Sequence, residues 1–223
     1  LHSSPTRRSS DLPPRPTGWA FVWTQAGFIR KRMWALQFAI LAGVLVAAGG
    51  GYRAYALPQY ALCAAAAPLL LVANVQDLAR VYHRGMLELE LATRYSLPRV
   101  TAARLLVFGA CDAVLLGILA AVGAVVSRSA LEVVLLYCLT PFCCVSALCM
   151  GLLRWLRPAA FTRTALGVVA AVLGGLLLPV DWMQRWLYAP ESRNFWVGAL
   201  VLSVLALAWQ TRRLLRGGMP TTL

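Results

Sequence analysis

The sequence predicts an all-α, polytopic membrane protein with six transmembrane helices, an N-terminal interfacial helix and a cytosolic helical elbow between spans two and three. Three observations predict it. The chain is 60% hydrophobic and 13% charged over 223 residues, where ordinary soluble domains are about 45–50% apolar and about 25% charged. The charges leave long gaps: 33–52, 54–76, 133–153, 164–180 and 194–211 carry none, and 105–127 carries only Asp112. A helix crossing a bilayer needs about 20 mainly apolar residues, and all six windows qualify. Finally, the bases gather in alternate connecting segments. These features exclude a soluble enzyme, a disordered tail and a disulfide-stapled secreted scaffold, and leave one membrane domain over nearly the whole chain.

Residues 1–12 stand apart from that domain. Thr6-Arg7-Arg8-Ser9-Ser10-Asp11-Leu12 resembles the translation of a common short-read sequencing adapter, ACA CGA CGC TCT TCC GAT CT. No apolar run follows directly, as a targeting segment would require. These residues are therefore expected to be adapter read-through, with the true start and a cytosolic N-terminal region of unknown size missing. Omitting Arg7, Arg8 and Asp11 changes the net charge only from +13 to +12.

The arm 13–32 follows. Trp19, Phe21, Val22, Trp23, Phe28 and Ile29 are interleaved with Thr24, Gln25 and Gly27 and end in Arg30-Lys31-Arg32. Such a stripe suits an amphipathic helix lying in the headgroup plane, although it also fits a ragged cytosolic end of span one. The membrane domain is expected at 33–211, with spans at about 33–52, 54–76, 104–127, 131–153, 164–181 and 194–211. Residues 212–223 form a cytosolic tail.

Orientation follows from the bases. One side holds Arg15, Arg30, Lys31, Arg32, Arg80, Arg84, Arg94, Arg99, Arg104, Arg154, Arg157, Arg163, Arg212, Arg213 and Arg216; the other holds Arg53, Arg128, Arg185 and Arg193. Lys and Arg accumulate on the cytoplasmic side, so both termini are expected inside the cytoplasmic (inner) membrane. Topology and anionic headgroups then account for the basic balance. A nucleic-acid surface would instead need the bases on one soluble face, and nucleic acid is not expected as a partner.

The elbow between spans two and three carries the most information. Leu78, Val81, Tyr82 and Met86 recur at helical intervals. Asp77 suits the positive end of the helix dipole. Glu90 and Arg94 form an i,i+4 pair in the favourable order. Tyr95-Ser96-Leu97-Pro98 breaks that helix, and Ser96 or Leu97 begins the next, with Pro98 in its first turn.

The stretch Glu88-Leu-Glu90-Leu-Ala-Thr93-Arg-Tyr95-Ser96-Leu-Pro-Arg, running on to Arg104, resembles the loop after the second span in ABC-2 type exporter permeases. There an E-x-E acidic stretch precedes a threonine and a leucine-rich turn, a "P-x-S" or "Y-S" break follows, and a basic residue opens span three. The likeness covers about 84–106 in wording and about 19–212 in architecture. It departs from the family at Leu91-Ala92, where a glycine is expected, and in a shortened acidic motif, which fits a diverged permease or a relative that has lost coupling to an ATPase. The resemblance implies a permease subunit without ATPase motifs of its own. Its partners would be a separate ATP-binding cassette ATPase subunit and a second or sister permease in the bilayer. Contact and coupling would fall to Arg84, Glu88, Glu90, Thr93, Tyr95 and Ser96 in the 76–99 loop. An alternative from another class is a membrane-anchored, anti-sigma-like regulator whose N-terminal cytosolic region is missing. A membrane enzyme acting on lipid-linked substrates is a third possibility.

Asp112 is the one ionisable residue inside a span. It sits beside the i,i+4 row Gly109, Ala113, Gly117, Ala121, a spacing that lets another helix approach closely. A carboxyl at such depth must be paired or face water. It is either a substrate-path or proton-linked group, or the partner in an interhelical hydrogen bond or a salt bridge to Arg104.

Other residues point to packing. Pro68, Pro141 and Pro179 are expected kinks, and Trp155, Trp182, Trp186, Trp196 and Trp209 are expected interface anchors. Residues 183–194 are expected to form a short re-entrant or interfacial piece. The six cysteines, 63, 111, 138, 143, 144 and 149, have no zinc-site spacing. His83 and Glu88, five apart, do not share a helix face well. No P-loop, nucleophile elbow or zincin motif occurs. No enzyme activity, metal or cofactor is expected.

Overall fold

The computed structural model describes residues 31–49, 61–71, 97–156, 158–177 and 185–216. Among them are six helices and no strand. These are α1 (Lys31–Gly49), α2 (Ala61–Leu71), α3 (Leu97–Ser127), α4 (Leu131–Trp155), α5 (Pro158–Leu177) and α6 (Arg193–Arg216). A strap over 185–192 enters α6 through a 3-10 turn, Pro190–Ser192. Four helices are long and apolar enough to cross a membrane: Leu106–Ser127, Leu131–Leu152, Ala160–Leu177 and Pro190–Arg213. The apolar parts of α1 and α2, Trp34–Ala47 and Ala61–Leu71, are shorter as described.

Neighbouring helices alternate in direction. α3 and α4 form an antiparallel hairpin. The Ser129 N–H bonds to the Ala124 carbonyl at 3.2 Å, and Arg128 occupies the left-handed region at φ 53°. This six-to-one bond around a left-handed residue closes the helix end as a Schellman motif, with arginine where glycine is usual. α4 and α6 run parallel. Glu132 meets Arg193, Tyr137 meets Trp196, and Gly151 faces Gln210, a nearly constant offset along both helices. α1 and α3 also run parallel, from Gln37 beside Asp112 to Leu41 in one cluster with Leu115 and Leu116.

This alternation sorts the cations. Positions 31, 32, 99, 104, 154, 163, 212, 213 and 216 fall at one end of the bundle, and Arg128, Arg185 and Arg193 at the other. The ends are therefore base-rich and base-poor, as the loop-by-loop distribution in the sequence requires.

α2 is the axis. From Ala61 to Leu71 every side chain is buried except Leu62 and Leu69, which are half-buried. Its residues enter all three apolar clusters. Cys63, Ala66, Ala67 and Leu70 pack with α1, α3 and α4; Leu71 packs with α4 and α5; Ala61 and Ala64 pack with α4, α5, the strap and α6. Four successive alanines, 64–67, present little more than methyl groups, so neighbouring backbones come close on every side. Pro68 lies within α2 and Pro141 within α4, and each helix is assigned continuously across it.

Large apolar side chains remain exposed on the outer helices. Val114 and Val125 on α3 and Leu202 and Leu205 on α6 are all more than 60% exposed, and only 11% of the α6 apolar window is buried. In water such faces would be an aggregation surface; hydrocarbon solvates them without cost. The fold is compatible with membrane insertion on this ground.

Among the glycines of α3, Gly123 has the closest neighbours. A Cβ there would sit 2.8 Å from Cys63 Sγ and 3.0 Å from Val134 Cγ1, whereas one at Gly117 meets nothing within 4 Å. Gly123→Ala should therefore overpack the α2–α3–α4 junction and destabilise by about 1–3 kcal/mol. Adding Cys63→Ala should recover part of that loss, and Gly117→Ala should not destabilise. Thermal midpoints in detergent check the ranking, and equal midpoints for the two glycine variants would contradict this packing.

Candidate functional site

Two constellations of polar and aromatic side chains lie inside the bundle, one toward each end. The first is built on α1 and α3. Asp112 and Gln37 are each 3% exposed, and Gln37 Nε2 donates to Asp112 Oδ1 at 3.1 Å. Asp112 lies six residues from Leu106, where the apolar window of α3 opens, so it is about 9 Å into that window at 1.5 Å per residue. The interhelical hydrogen bond anticipated for this carboxyl is present, with Gln37 as donor. The Arg104 side chain lies outside the described residues. A polar pair here clips α1 to α3 and fixes their register, because sliding by one residue would part the two groups.

The row Gly109, Ala113, Gly117, Ala121 is exposed along its length. No described helix of this chain packs on it. The buried face of α3 instead runs through Asp112, Leu115, Leu116, Leu119, Ala120 and Gly123. The carboxyl was the available signal, since a group that must be paired marks the face that meets protein.

The second constellation lies toward the base-poor end. Tyr137 of α4, Tyr188 of the strap and Trp196 of α6 are all buried, with ring centroids 5.6, 4.9 and 6.3 Å apart in the three pairs. Ala61 and Ala64 of α2 and Leu176 of α5 complete the cluster. Trp196 Nε1 donates to the Leu187 carbonyl at 2.7 Å, and Tyr188 Oη to the Leu176 carbonyl at 3.4 Å. Ser192 Oγ donates to the carbonyls of Leu187 and Ala189 at 2.7 and 2.8 Å. Thr140 Oγ1 donates to the Leu136 carbonyl at 2.8 Å and approaches that of Trp196 at 3.5 Å.

Trp196 thus corrects its expected role as an interface anchor. Its indole is 4% exposed and turned inward, because the strap carbonyl offers the N–H a partner that the headgroups would otherwise supply. Trp186 and Trp209, at 50% and 56% exposed, remain on the surface, and Arg213 stacks over Trp209 at 5.0 Å. The short piece expected at 183–194 is the strap, a helical turn and a 3-10 turn folded against the bundle.

Arg84, Glu88, Glu90, Thr93, Tyr95 and Ser96, with the rest of the elbow, lie outside the described residues, as do 1–30, His83, Pro179 and Trp182. The cysteines are free thiols within helices: 63, 138, 143 and 149 are buried, 111 is half-buried and 144 is exposed. Among the described residues no group of His, Cys, Asp or Glu could hold a metal ion.

Compared with known proteins, the chain matches no family model, no curated protein and no solved structure.

The clip makes a quantitative statement. Hydrogen bonds between membrane helices couple by about 0.6 kcal/mol on average and about 1.7 kcal/mol at most. A double-mutant cycle with Gln37→Leu and Asp112→Leu should give a coupling energy in the upper part of that range, since both groups are buried. Additive losses in unfolding free energy would mean that the pair does not hold α1 to α3.

Proposed function

We propose that the protein is the permease subunit of an ABC-2-like exporter in the cytoplasmic membrane of a bacterium. It crosses the membrane six times with both termini inside, and a separate ATP-binding cassette ATPase drives it through the 76–99 loop. A second copy or a sister permease completes the membrane part. The observation that carries the reading is the run Glu88–Arg104, whose acidic elbow opens directly onto α3.

The physical support is mechanical. α3 has 31 residues, which at 1.5 Å each make a rod of about 46 Å, against a hydrocarbon core of about 30 Å. Its apolar window starts only at Leu106, so Leu97–Leu105 projects from the base-rich end without a break. A pull on the elbow then becomes a displacement of α3, and Asp112 passes it to α1 through Gln37. In this role Arg84, Glu88, Glu90, Thr93, Tyr95 and Ser96 contact the ATPase, and Asp112 and Gln37 are positioning residues. The chain itself hydrolyses nothing.

Co-expression with the cassette ATPase of the same gene neighbourhood tests the reading. The two should co-purify, and Glu88→Lys with Glu90→Lys should abolish capture by reversing the charge of the contact while leaving the permease monodisperse. Undiminished capture by that variant removes the elbow from the coupling. Separately, thiol reagents applied to intact cells should fail to reach a cysteine placed at Arg94 and should reach one placed at Arg185; the reverse pattern inverts the topology and defeats the proposal.

A further inference from the structure

At the base-poor end α4, α6 and the strap form one closely tied body, whereas α5 packs on α4 mainly through Phe161, Ala165 and Val169 farther along. α4, α6 and the strap are tied together by the Tyr137–Trp196 edge-to-face contact, by Trp196 Nε1 and Ser192 Oγ on the Leu187 carbonyl, by Thr140 Oγ1 near the Trp196 carbonyl, and outermost by the Glu132–Arg193 ion pair at 3.1 Å. α5 meets this body differently. Its last turns contribute Leu176 to the aromatic cluster and the Leu176 carbonyl to a 3.4 Å bond from Tyr188 Oη. Only 22% of the α5 window is buried, against 50% of that of α4.

At the same level the helices carry residues that weaken them. Pro141 deprives the 137 carbonyl of its helical partner one turn inward of the cluster. Gly174-Gly175 precede Leu176 on α5, and helical glycine costs about 1 kcal/mol relative to alanine. Gly198 follows Trp196 on α6, and a Cβ at Gly175 or Gly198 would meet nothing within 4 Å, so packing does not require glycine at position 175 or 198. Below the rings lie Ala61 and Ala64, fully buried, which leave nothing bulky to hold the cluster once Leu176 departs.

We propose that Tyr137, Tyr188 and Trp196 form a latch that holds α5 against the α4–strap–α6 body and closes the base-poor end over α2. It opens when the last turn of α5 unwinds at Gly174-Gly175 and withdraws Leu176 from the rings. The exporter reading is not needed for it. Opening exposes Ala64 to water, and closure buries it.

The test places Ala64→Cys in the full chain in lipid nanodiscs, with a water-soluble methanethiosulfonate on both faces. Modification is read peptide by peptide by mass spectrometry, so the native thiols remain. With the latch intact, position 64 reacts slowly. Tyr188→Phe removes the hydroxyl bond but keeps the ring, and raises the rate about fivefold, the value of one net hydrogen bond. Trp196→Ala raises it at least about tenfold, and Trp209→Ala, on an exposed indole at the far end, leaves it unchanged. Fast modification with the latch intact overturns the proposal, as does an unchanged rate in Tyr188→Phe. Should Trp196→Ala not fold, Tyr188→Phe decides alone. Hydrogen exchange of the 172–177 peptide provides a second readout, faster in Tyr188→Phe if the latch holds α5.

Discussion

Close approach to α2 is the constraint on which the other contacts depend. Within hydrocarbon an apolar side chain gains nothing by leaving lipid for protein, so helices associate through dense packing and a few polar bonds. Ala64–Ala67 satisfies the first requirement on all sides at once. Gly123 satisfies it again from α3, where Cys63 and Val134 occupy the space a Cβ would need. A leucine-rich helix in place of α2 would hold its neighbours farther off, and the three clusters that share it would lose their common member. The alanines thus act by what they omit.

Around that axis the polar groups are placed at two depths with different consequences. Toward the base-rich end a carboxyl and an amide join two helices side chain to side chain, which specifies register because neither group has a tolerable alternative in lipid. Toward the base-poor end the polar atoms of Trp196, Tyr188 and Ser192 are donated to backbone carbonyls near helix ends and in the strap, where unpaired carbonyls are available in any case. Bonds of the second kind satisfy donors locally and leave the rings to pack, so the cap is held largely by aromatic contact. The end with the register pin resists sliding, and the end with the ring cluster resists separation only as far as its packing does. On the exporter reading this asymmetry suits a bundle driven from the base-rich end.

The all-helical class was legible because long charge-free runs suit helices that cross lipid, and four of the described helices are long and apolar enough to do so. The start of α3 was legible too: Ser96 or Leu97, with Pro98 in the first turn, reads as a helix start, and α3 begins at Leu97. What hydropathy could not reveal was which face of a uniformly apolar helix meets protein. Gly109, Ala113, Gly117 and Ala121 have the spacing of a packing row, yet they lie on the exposed side. Asp112, one residue from Ala113 and so about 100° round the helix, already marked the packed side. The alanine run in α2 carried no periodic signal, since a helix buried on every side has no polar face to contrast with. Trp196 and Trp209 both sit near a span end, and only the strap, a tertiary neighbour, turns one of them inward.

The exposed row on α3 gains meaning from its surroundings. Val114 and Ile118 stand exposed one residue on from Ala113 and Gly117, and Val125 continues the row, so the small residues form a shallow groove alongside larger ones. Lipid chains fill such a groove as well as a helix does, and the spacing alone cannot choose between them. The ties within the bundle bear on this choice. α3 is joined to α1 by the buried clip and to α2 and α4 by the core, so a partner lying on its outer face would meet the best-anchored wall of the bundle. α6 offers more exposed apolar surface, but it carries Trp196 of the latch. On the latch and exporter readings, a contact on α6 would be coupled to the movement of the cap and a contact on α3 to that of the elbow. The two outer faces therefore differ in what a neighbouring chain would sense, although their hydropathy makes them look alike.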